Sequence, residues 1–107
     1  MATRTNTQRA VISSSASGDV TIIANPSTKA FMNIWEVFIQ TGGTANLTFK
    51  NGAGAITGAI GVTSTTPPIS FQDGGSGTPR FVIDPGASFI VNDSAGVGKN
   101  GYCIYSN

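Results

Sequence analysis

The sequence has 107 residues, of which 39% are hydrophobic and 10% are charged, and its single cysteine excludes a disulfide scaffold. It contains no histidine, so a structural zinc site built from several cysteines and histidines is not expected. Six basic and five acidic residues leave a formal net charge of +1, whereas nucleic-acid modules carry a marked basic excess. We therefore expect one folded domain whose partner is not nucleic acid.

Short apolar runs rich in β-branched and aromatic residues alternate with clusters of Gly, Pro, Asn and Asp along the chain. This punctuation is typical of antiparallel β-domains. It predicts an all-β fold, a single small antiparallel β-sandwich over residues 10–107 that follows a flexible N-terminal arm at residues 1–9. The predicted strands, about eight in number, cover residues 9–13, 19–24, 29–40, 45–50, 56–62, 69–71, 80–83 with 88–92 as its hairpin partner, and 102–105.

The most apolar segment, residues 29–40, fits two kinds of secondary structure. Helical spacing relates five of its side chains: Phe31, Ile34, Trp35, Phe38 and Ile39. Strand alternation divides its apolar side chains between two faces, with Met32, Ile34 and Phe38 on one and Phe31, Trp35, Val37 and Ile39 on the other. Aromatic and β-branched residues prefer pleated surfaces, which favours the strand.

A strand that is apolar on both faces needs cover on its outer side, because the outer faces of a small sandwich are normally polar. Either a long loop or a second chain would supply that cover. The second hypothesis predicts a homo-oligomer, in the first instance a trimer, since a chain of this size buries too little surface to hide both faces. Its predicted interface consists of Phe31, Trp35, Val37 and Ile39.

No pattern in the sequence predicts catalysis, a cofactor or a metal. The absence of histidine removes the usual general base. Asp73, Asp84 and Asp93 lie in turns with Gly or Pro, where aspartate side chains bond their own backbone. The glycine-rich stretch at residues 96–100 lacks the spacing of a phosphate-binding loop, and Cys103 is expected to be a small buried hydrophobe.

The basic surplus of the chain lies in its N-terminal arm. Arg4 and Arg9 give the first nine residues two positive charges, whereas the remaining residues carry four basic and five acidic side chains. An arm of this kind is a frayed terminus, or it adds a strand to a neighbour or lies across an acidic surface. No apolar run approaches the ~20 residues that a membrane-spanning helix needs, and the polar first ten residues do not form a secretory signal.

Within residues 25–60, a strand that ends in Thr48-Phe49-Lys50 runs into a Gly-Ala-Gly loop and an Ile-Thr-Gly strand. This order resembles a group of short virion proteins of tailed bacteriophages. The later stretch from Phe81 to Phe89, with Asp84-Pro85-Gly86 at its turn, is similar to a hairpin near the end of many phage and viral jelly rolls. The resemblance implies a jelly-roll-like sandwich.

The resemblance further implies a capsid decoration, or cement, protein that binds the outer surface of the major capsid protein lattice and stabilises the head. Such a protein is made in the host cytoplasm and resides on the virion, with no membrane partner. Arg4 and Arg9 are the predicted capsid contacts. The alternative is a tail or receptor-binding module that binds carbohydrate through Trp35, Tyr102 or Tyr105 and the loop at residues 73–77.

Overall fold

Ten strands form two antiparallel sheets in the computed structural model, which describes residues 7–72 and 77–106. No helix in this part of the chain is long and apolar enough to cross a membrane. The strands are β1 (Gln8–Ser14), β2 (Gly18–Ala24), β3 (Met32–Thr41), β4 (Ala45–Asn51), β5 (Gly54–Ala55), β6 (Ile60–Val62), β7 (Ile69–Phe71), β8 (Phe81–Ile83), β9 (Ser88–Asp93) and β10 (Lys99–Ser106).

The strands pair in a nested series, as if one long hairpin had been wound up. β1 pairs with β10, β2 with β9, β3 with β7 and β8, and β4 with β5 and β6. Two further pairings, β3 with β10 and β4 with β9, complete sheet I (β1, β10, β3, β7, β8) and sheet II (β2, β9, β4, β5, β6). Nested antiparallel pairing across two packed sheets is the connectivity of a jelly roll, and the predicted all-β sandwich is confirmed.

The predicted strands differ from the observed ones in several places. Of the strand predicted at residues 56–62 only residues 60–62 form β6, and β10 begins at Lys99 rather than at residue 102. β1 begins one residue before the predicted strand at residues 9–13, because Gln8 pairs with Tyr105 and Arg9 with Ile104 of β10. The last two residues of the predicted arm therefore belong to the sheet. The segments on either side of the turn at residues 84–86 do not form a hairpin with each other. β8 pairs with β3 in sheet I and β9 with β2 and β4 in sheet II, so the predicted hairpin is wrong and this turn carries the chain between the sheets.

A β-bulge in β3 changes which of its side chains face the core. Glu36 pairs with Ile104 and Ile34 pairs with Tyr105, which leaves Trp35 as an extra residue without a cross-strand partner. An extra residue in one strand of an antiparallel pair reverses the alternation of side chains beyond it. The segment is therefore a strand, as favoured above, but with a break in its two-residue period.

The bulge places four apolar residues of β3 on one face. Met32 and Ile34 precede it and Val37 and Ile39 follow it, and all four are at most 1% exposed. The division between two faces predicted from strict alternation is wrong for this reason. Most of the apparent surplus of apolar surface is thereby absorbed into the core between the sheets.

Aromatic rings from both sheets meet in that core. The Phe49 ring of β4 lies 5.8 Å from the Phe89 ring of β9 and 5.5 Å, edge-on, from the Phe71 ring of β7. Phe81 of β8 lies 5.3 Å from Phe71 and 5.7 Å from Phe89. Offset and edge-to-face pairs of this kind add about 0.5–1.5 kcal/mol each to the burial of the rings. The short strands β7 and β8 are thus held against sheet II by their phenylalanines.

An ion pair closes one end of the sandwich and is completely buried. Lys99 Nζ donates to Asp93 Oδ2 and to the carbonyl oxygens of Ala16 and Val97, so each of its three protons has an acceptor. The Asp93 carboxylate also accepts from the backbone N–H groups of the loop that follows it, those of Ala95, Gly96 and Val97. Both charges are fully hydrogen-bonded, which is the condition under which burial of an ion pair is tolerated.

The hydrogen bonds keep Asp93 ionised in spite of its burial. Desolvation disfavours the charged form, but the hydrogen bonds from Lys99 and the loop outweigh it, and the pKa of Asp93 lies below its ordinary value. The sequence predicts turn chemistry at Asp93, and the backbone contacts confirm it. It does not predict the pairing with Lys99, because a lysine six residues along the chain is no signal for a buried partner.

Replacing Asp93 by Asn or Lys99 by Met is expected to lower the free energy of unfolding by about 3–5 kcal/mol, because each change leaves a buried charge without its counterion. The double variant Asp93→Asn/Lys99→Met should lose less free energy of unfolding than the sum of the losses in the two single variants. Urea denaturation measures these values. Lys50→Met, which removes an exposed ion pair with Asp19, is the matched control and should lower the free energy of unfolding by at most about 1 kcal/mol. Equal losses at the two ion pairs would contradict the larger effect expected for the buried pair.

Acid should weaken the fold through the same carboxylate. Because the pKa of Asp93 is lower in the folded chain than in the unfolded chain, its contribution is complete above about pH 4, the ordinary aspartate value, and is lost as pH falls through the folded value. The free energy of unfolding, measured by urea denaturation, should fall more steeply between neutral and acid pH in the native protein than in Asp93→Asn. Parallel curves for the two proteins would refute this source of acid sensitivity.

Close packing of β3 against β10 requires glycine at position 101. A Cβ atom added at Gly101 would overlap the carbonyl oxygen of Phe38, because the two atoms would lie closer together than Cβ atoms come to their neighbours in proteins. Gly101→Ala is therefore expected to lower the free energy of unfolding by about 3 kcal/mol, since the two strands must separate to admit the methyl group. Gly58→Ala, at an exposed position with nothing within 4 Å of the added atom, is the control for the loss of glycine itself.

Candidate binding face

Apolar side chains lie across the outer face of sheet I. Val11 of β1 pairs with Tyr102 of β10, which pairs with Phe38 of β3, so the three form a row across the sheet. Val11 is 73% exposed. The Phe38 and Tyr102 rings are nearly parallel, with centroids 5.7 Å apart, and the guanidinium of Arg9 lies 4.6 Å from the centre of the Tyr102 ring. The row is an aromatic stack with a cation at one side.

Two more exposed apolar side chains extend this surface toward β8. Val82 pairs with Asn33, between the buried Met32 and Ile34, and is 45% exposed. Phe31, directly before β3, is 53% exposed. In the next row along the strands, Ile104 pairs with Arg9 on one side and with Glu36 on the other. We refer to the surface formed by Val11, Phe38, Val82, Tyr102 and Ile104, with Phe31 at its end, as the outer apolar face; Arg9 and Glu36 flank Ile104 on it.

The outer face of sheet II is polar by contrast. Lys50 of β4 donates to both carboxylate oxygens of Asp19 at 3.0 and 3.1 Å, and Asn92 of β9 donates to Asp19 Oδ1 at 2.7 Å. The hydrogen bonds from Asn92 and Lys50 lower the pKa of Asp19. Thr21 and Thr48 lie on the same surface, opposite Ile90 and Asn92. This surface has the hydrated character that is usual for the outside of a sandwich.

Three of the four side chains predicted to form an oligomer interface are covered by their own chain. Val37 and Ile39 lie in the core, and Trp35 is completely buried, with its indole N–H donating to Ser106 Oγ at 2.8 Å. A side chain that is already enclosed offers no surface to a second chain, so the interface assignment does not hold for these three. Phe31 is the exposed member of the set.

The predicted capsid contacts fall in different parts of the chain. Arg9 lies on β1, beside the outer apolar face. Arg4 lies outside the described residues. The sequence pattern assigns Arg9 both to the end of the arm and to the first predicted strand. It does not predict that Arg9 shares a face with Tyr102, because the two residues are far apart along the chain.

The aromatic side chains of the carbohydrate-binding alternative are largely occupied. Trp35 is buried, one side of the Tyr102 ring faces Arg9, and Tyr105 donates its hydroxyl to Gln8 Oε1 at 2.7 Å. Sugar sites use exposed aromatic platforms with convergent polar groups. Most of the loop assigned to this site, residues 73–76, lies outside the described residues.

Two shallow depressions, of about 350 and 360 Å³, meet at Gly98 and Asn100 near the end closed by the buried ion pair. Hydroxyl and amide groups line them, and neither contains an aromatic ring. Within residues 7–72 and 77–106, no three His, Cys, Asp or Glu side chains lie together in a way that could hold a metal ion. The remaining lining residues are Ser13, Ser14, Ser15, Gln40, Thr41, Gly42 and Ser64.

Cys103 lies in β10, opposite Val37, and is completely buried, as predicted. Desolvation raises the pKa of its thiol to about 12. The thiolate, the reactive form, is therefore scarce at neutral pH.

No protein-family model matches the chain, and no curated protein matches it. Among solved structures, its fold is similar to a chain of the Bacillus endospore appendages, which are described as a family of disulfide-linked pili. The TM-score is 0.52 and 13% of the residues are identical, over 92% of this chain and 82% of that one. At this level of identity the similarity concerns the fold alone.

Proposed function

We propose that this chain is a structural protein that decorates the outer surface of a bacteriophage capsid and attaches through its outer apolar face. The observation that carries the proposal is the contrast between the two outer surfaces of the sandwich. Sheet II presents a hydrogen-bonded polar network, whereas the outer apolar face of sheet I exposes Val11, Val82 and Phe31 to solvent beside the half-buried Phe38 and Tyr102. Contiguous apolar patches that stay exposed on a folded domain commonly mark surfaces that bind a partner.

The composition of the outer apolar face supports a protein partner. Tyrosine, phenylalanine and arginine are enriched at protein interfaces, and the residues that dominate binding energy are most often aromatic or arginine. The Tyr102 ring stacks on Phe38, and the Arg9 guanidinium lies 4.6 Å from the centre of the Tyr102 ring. These rings are held in place before binding, so little conformational entropy is lost when a partner covers them.

Attachment of many copies would stabilise a shell by linkage. A ligand that binds the assembled lattice and not its released subunits shifts the equilibrium toward the lattice by mass action. Each contact can be modest, because the lattice presents many equivalent sites to the decorating chains. A small sandwich with one apolar face is sufficient for this role, and no catalytic group is required.

The similarity to a pilus chain does not extend to a disulfide-linked assembly. Covalent linkage of that kind needs accessible thiols, and the single cysteine of this sequence, Cys103, is buried between strands with a pKa of about 12. We therefore propose non-covalent attachment.

Purified protein added to capsids assembled without it should bind at a fixed number of copies per lattice position and raise the temperature at which the heads open. Val82→Asp and Val11→Asp should each weaken binding at least about tenfold, equivalent to about 1.4 kcal/mol, because a charge replaces an apolar contact. Co-sedimentation measures the bound protein. Thr21→Asp, on the outer surface of sheet II, is the matched control and should bind like the native chain.

Two outcomes would contradict the proposal. Saturable binding to a glycan without binding to capsids would favour the tail-module alternative. Undiminished capsid binding by both valine variants, with loss in Thr21→Asp, would place the contact on sheet II instead.

A further inference from the structure

β1 is an edge strand that lacks the usual protection of an edge. It pairs with β10 over seven residues without a register shift, and in the described part of the chain it pairs with no strand on its other side. Natural edges are commonly blunted by proline, lysine, a bulge or short length, and β1 (Gln8–Ser14) has none of these. The neighbouring edge of sheet II, β2, is interrupted by a register shift between Thr21 and Ile23.

The single charge of β1 does not guard the edge either. The Arg9 guanidinium lies over the Tyr102 ring, on the outer face of the sheet. The backbone groups on the open side of β1 are therefore a template for a further strand.

We propose that the occupant of this edge is β1 of a second copy of the chain, paired antiparallel about a twofold axis at Val11. In this register Val11 lies opposite Val11 of the second copy, Ala10 opposite Ile12, and Arg9 opposite Ser13. Apolar residues meet apolar residues on both faces of the joined sheet, and no like charges face each other. A symmetric pair of this kind closes on itself and forms a dimer rather than a fibre.

Other centres of symmetry fit less well. An axis at Ile12 would place Val11 opposite Ser13, an axis at Ala10 would place Val11 opposite Arg9, and an axis at Arg9 would place two guanidinium groups opposite each other. Cross-strand pairs between β-branched residues stabilise a sheet, whereas like charges directly opposite destabilise it. The sequence of β1 thus selects the axis at Val11.

The dimer would join the two outer apolar faces into one surface across the twofold axis. Two linked faces bind a repeating lattice with greater avidity than one face alone, provided that both can engage at once. The proposal concerns the edge of sheet I, whereas capsid attachment concerns its face, so each can fail without the other.

The register is tested by cross-linking variants of the full chain that each carry one introduced cysteine beside the buried Cys103. Val11→Cys should form a covalent dimer with a mild oxidant or a short bis-maleimide, because the two introduced thiols are direct neighbours. Ser13→Cys, on the same strand and face, should not cross-link with itself but should cross-link with Arg9→Cys. The buried Cys103 makes the native chain the background control. Equal cross-linking of Val11→Cys and Ser13→Cys would overturn the register.

The edge itself is tested by mass. Light scattering should give twice the 10.9 kDa of one chain for the native protein, and Val11→Lys should return it to the monomer, because two lysines would lie side by side across the axis. Val82→Lys makes the same change on the outer apolar face away from β1 and should remain dimeric. Fluorescence of the buried Trp35 confirms that each variant is folded.

A native monomer at the highest soluble concentration would overturn the dimer, and loss of the dimer in Val82→Lys alone would move the contact from the edge to the face. A trimer would overturn the twofold axis. Monomers that bind capsids would leave the attachment proposal intact and refute only this inference.

Discussion

β3 is the strand on which the packing of the sandwich depends, because it is central in sheet I and pairs with β10 on one side and with β7 and β8 on the other. The bulge at Trp35 lets this strand turn Met32 and Ile34, and then Val37 and Ile39, toward the same core. Without the extra residue, one of these pairs would face solvent. The bulge thus reconciles an almost wholly apolar strand with a two-layered fold.

Trp35 itself shows how the bulge is accommodated. Its side chain is buried apart from the main core cluster, and its N–H group is satisfied by Ser106 at the end of β10. Buried indole N–H groups normally require such a partner. The pairing of the C-terminal strand with β3 therefore serves both the sheet and the tryptophan that interrupts its alternation.

The two outer faces of the sandwich have different consequences for assembly. On sheet II, Lys50 and Asn92 donate hydrogen bonds to Asp19, and this polar surface needs no partner other than water. On sheet I the stacked Phe38 and Tyr102 satisfy no polar requirement, and Val11 stands exposed beside them. An unprotected edge next to an apolar face gives this flank of the molecule two separate ways of contacting other chains.

The sequence by itself determined the features that depend on near neighbours along the chain. Runs of β-branched and aromatic residues identified most strands, and Asp84-Pro85-Gly86 identified a tight turn, in which Ala87 N–H donates to the Asp84 carbonyl oxygen, because strand propensity and turn chemistry act over a few residues. Only the tertiary structure decided which of those strands are partners, so the chain from β8 to β9 crosses between sheets where a hairpin was predicted.

The tertiary structure also decided the placement of the chemically distinctive residues. Trp35 has no cross-strand partner because the register between β3 and β10 shifts beside it, and its indole N–H finds Ser106 instead. The buried Lys99 is satisfied by Asp93 and two carbonyl groups, and Arg9 lies over Tyr102 because β1 and β10 are adjacent strands. Each of these placements depends on the register between strands or on contacts that form only when the chain folds. Strand propensity and periodicity describe one strand at a time, so they do not predict the register between strands or the contacts that follow from it.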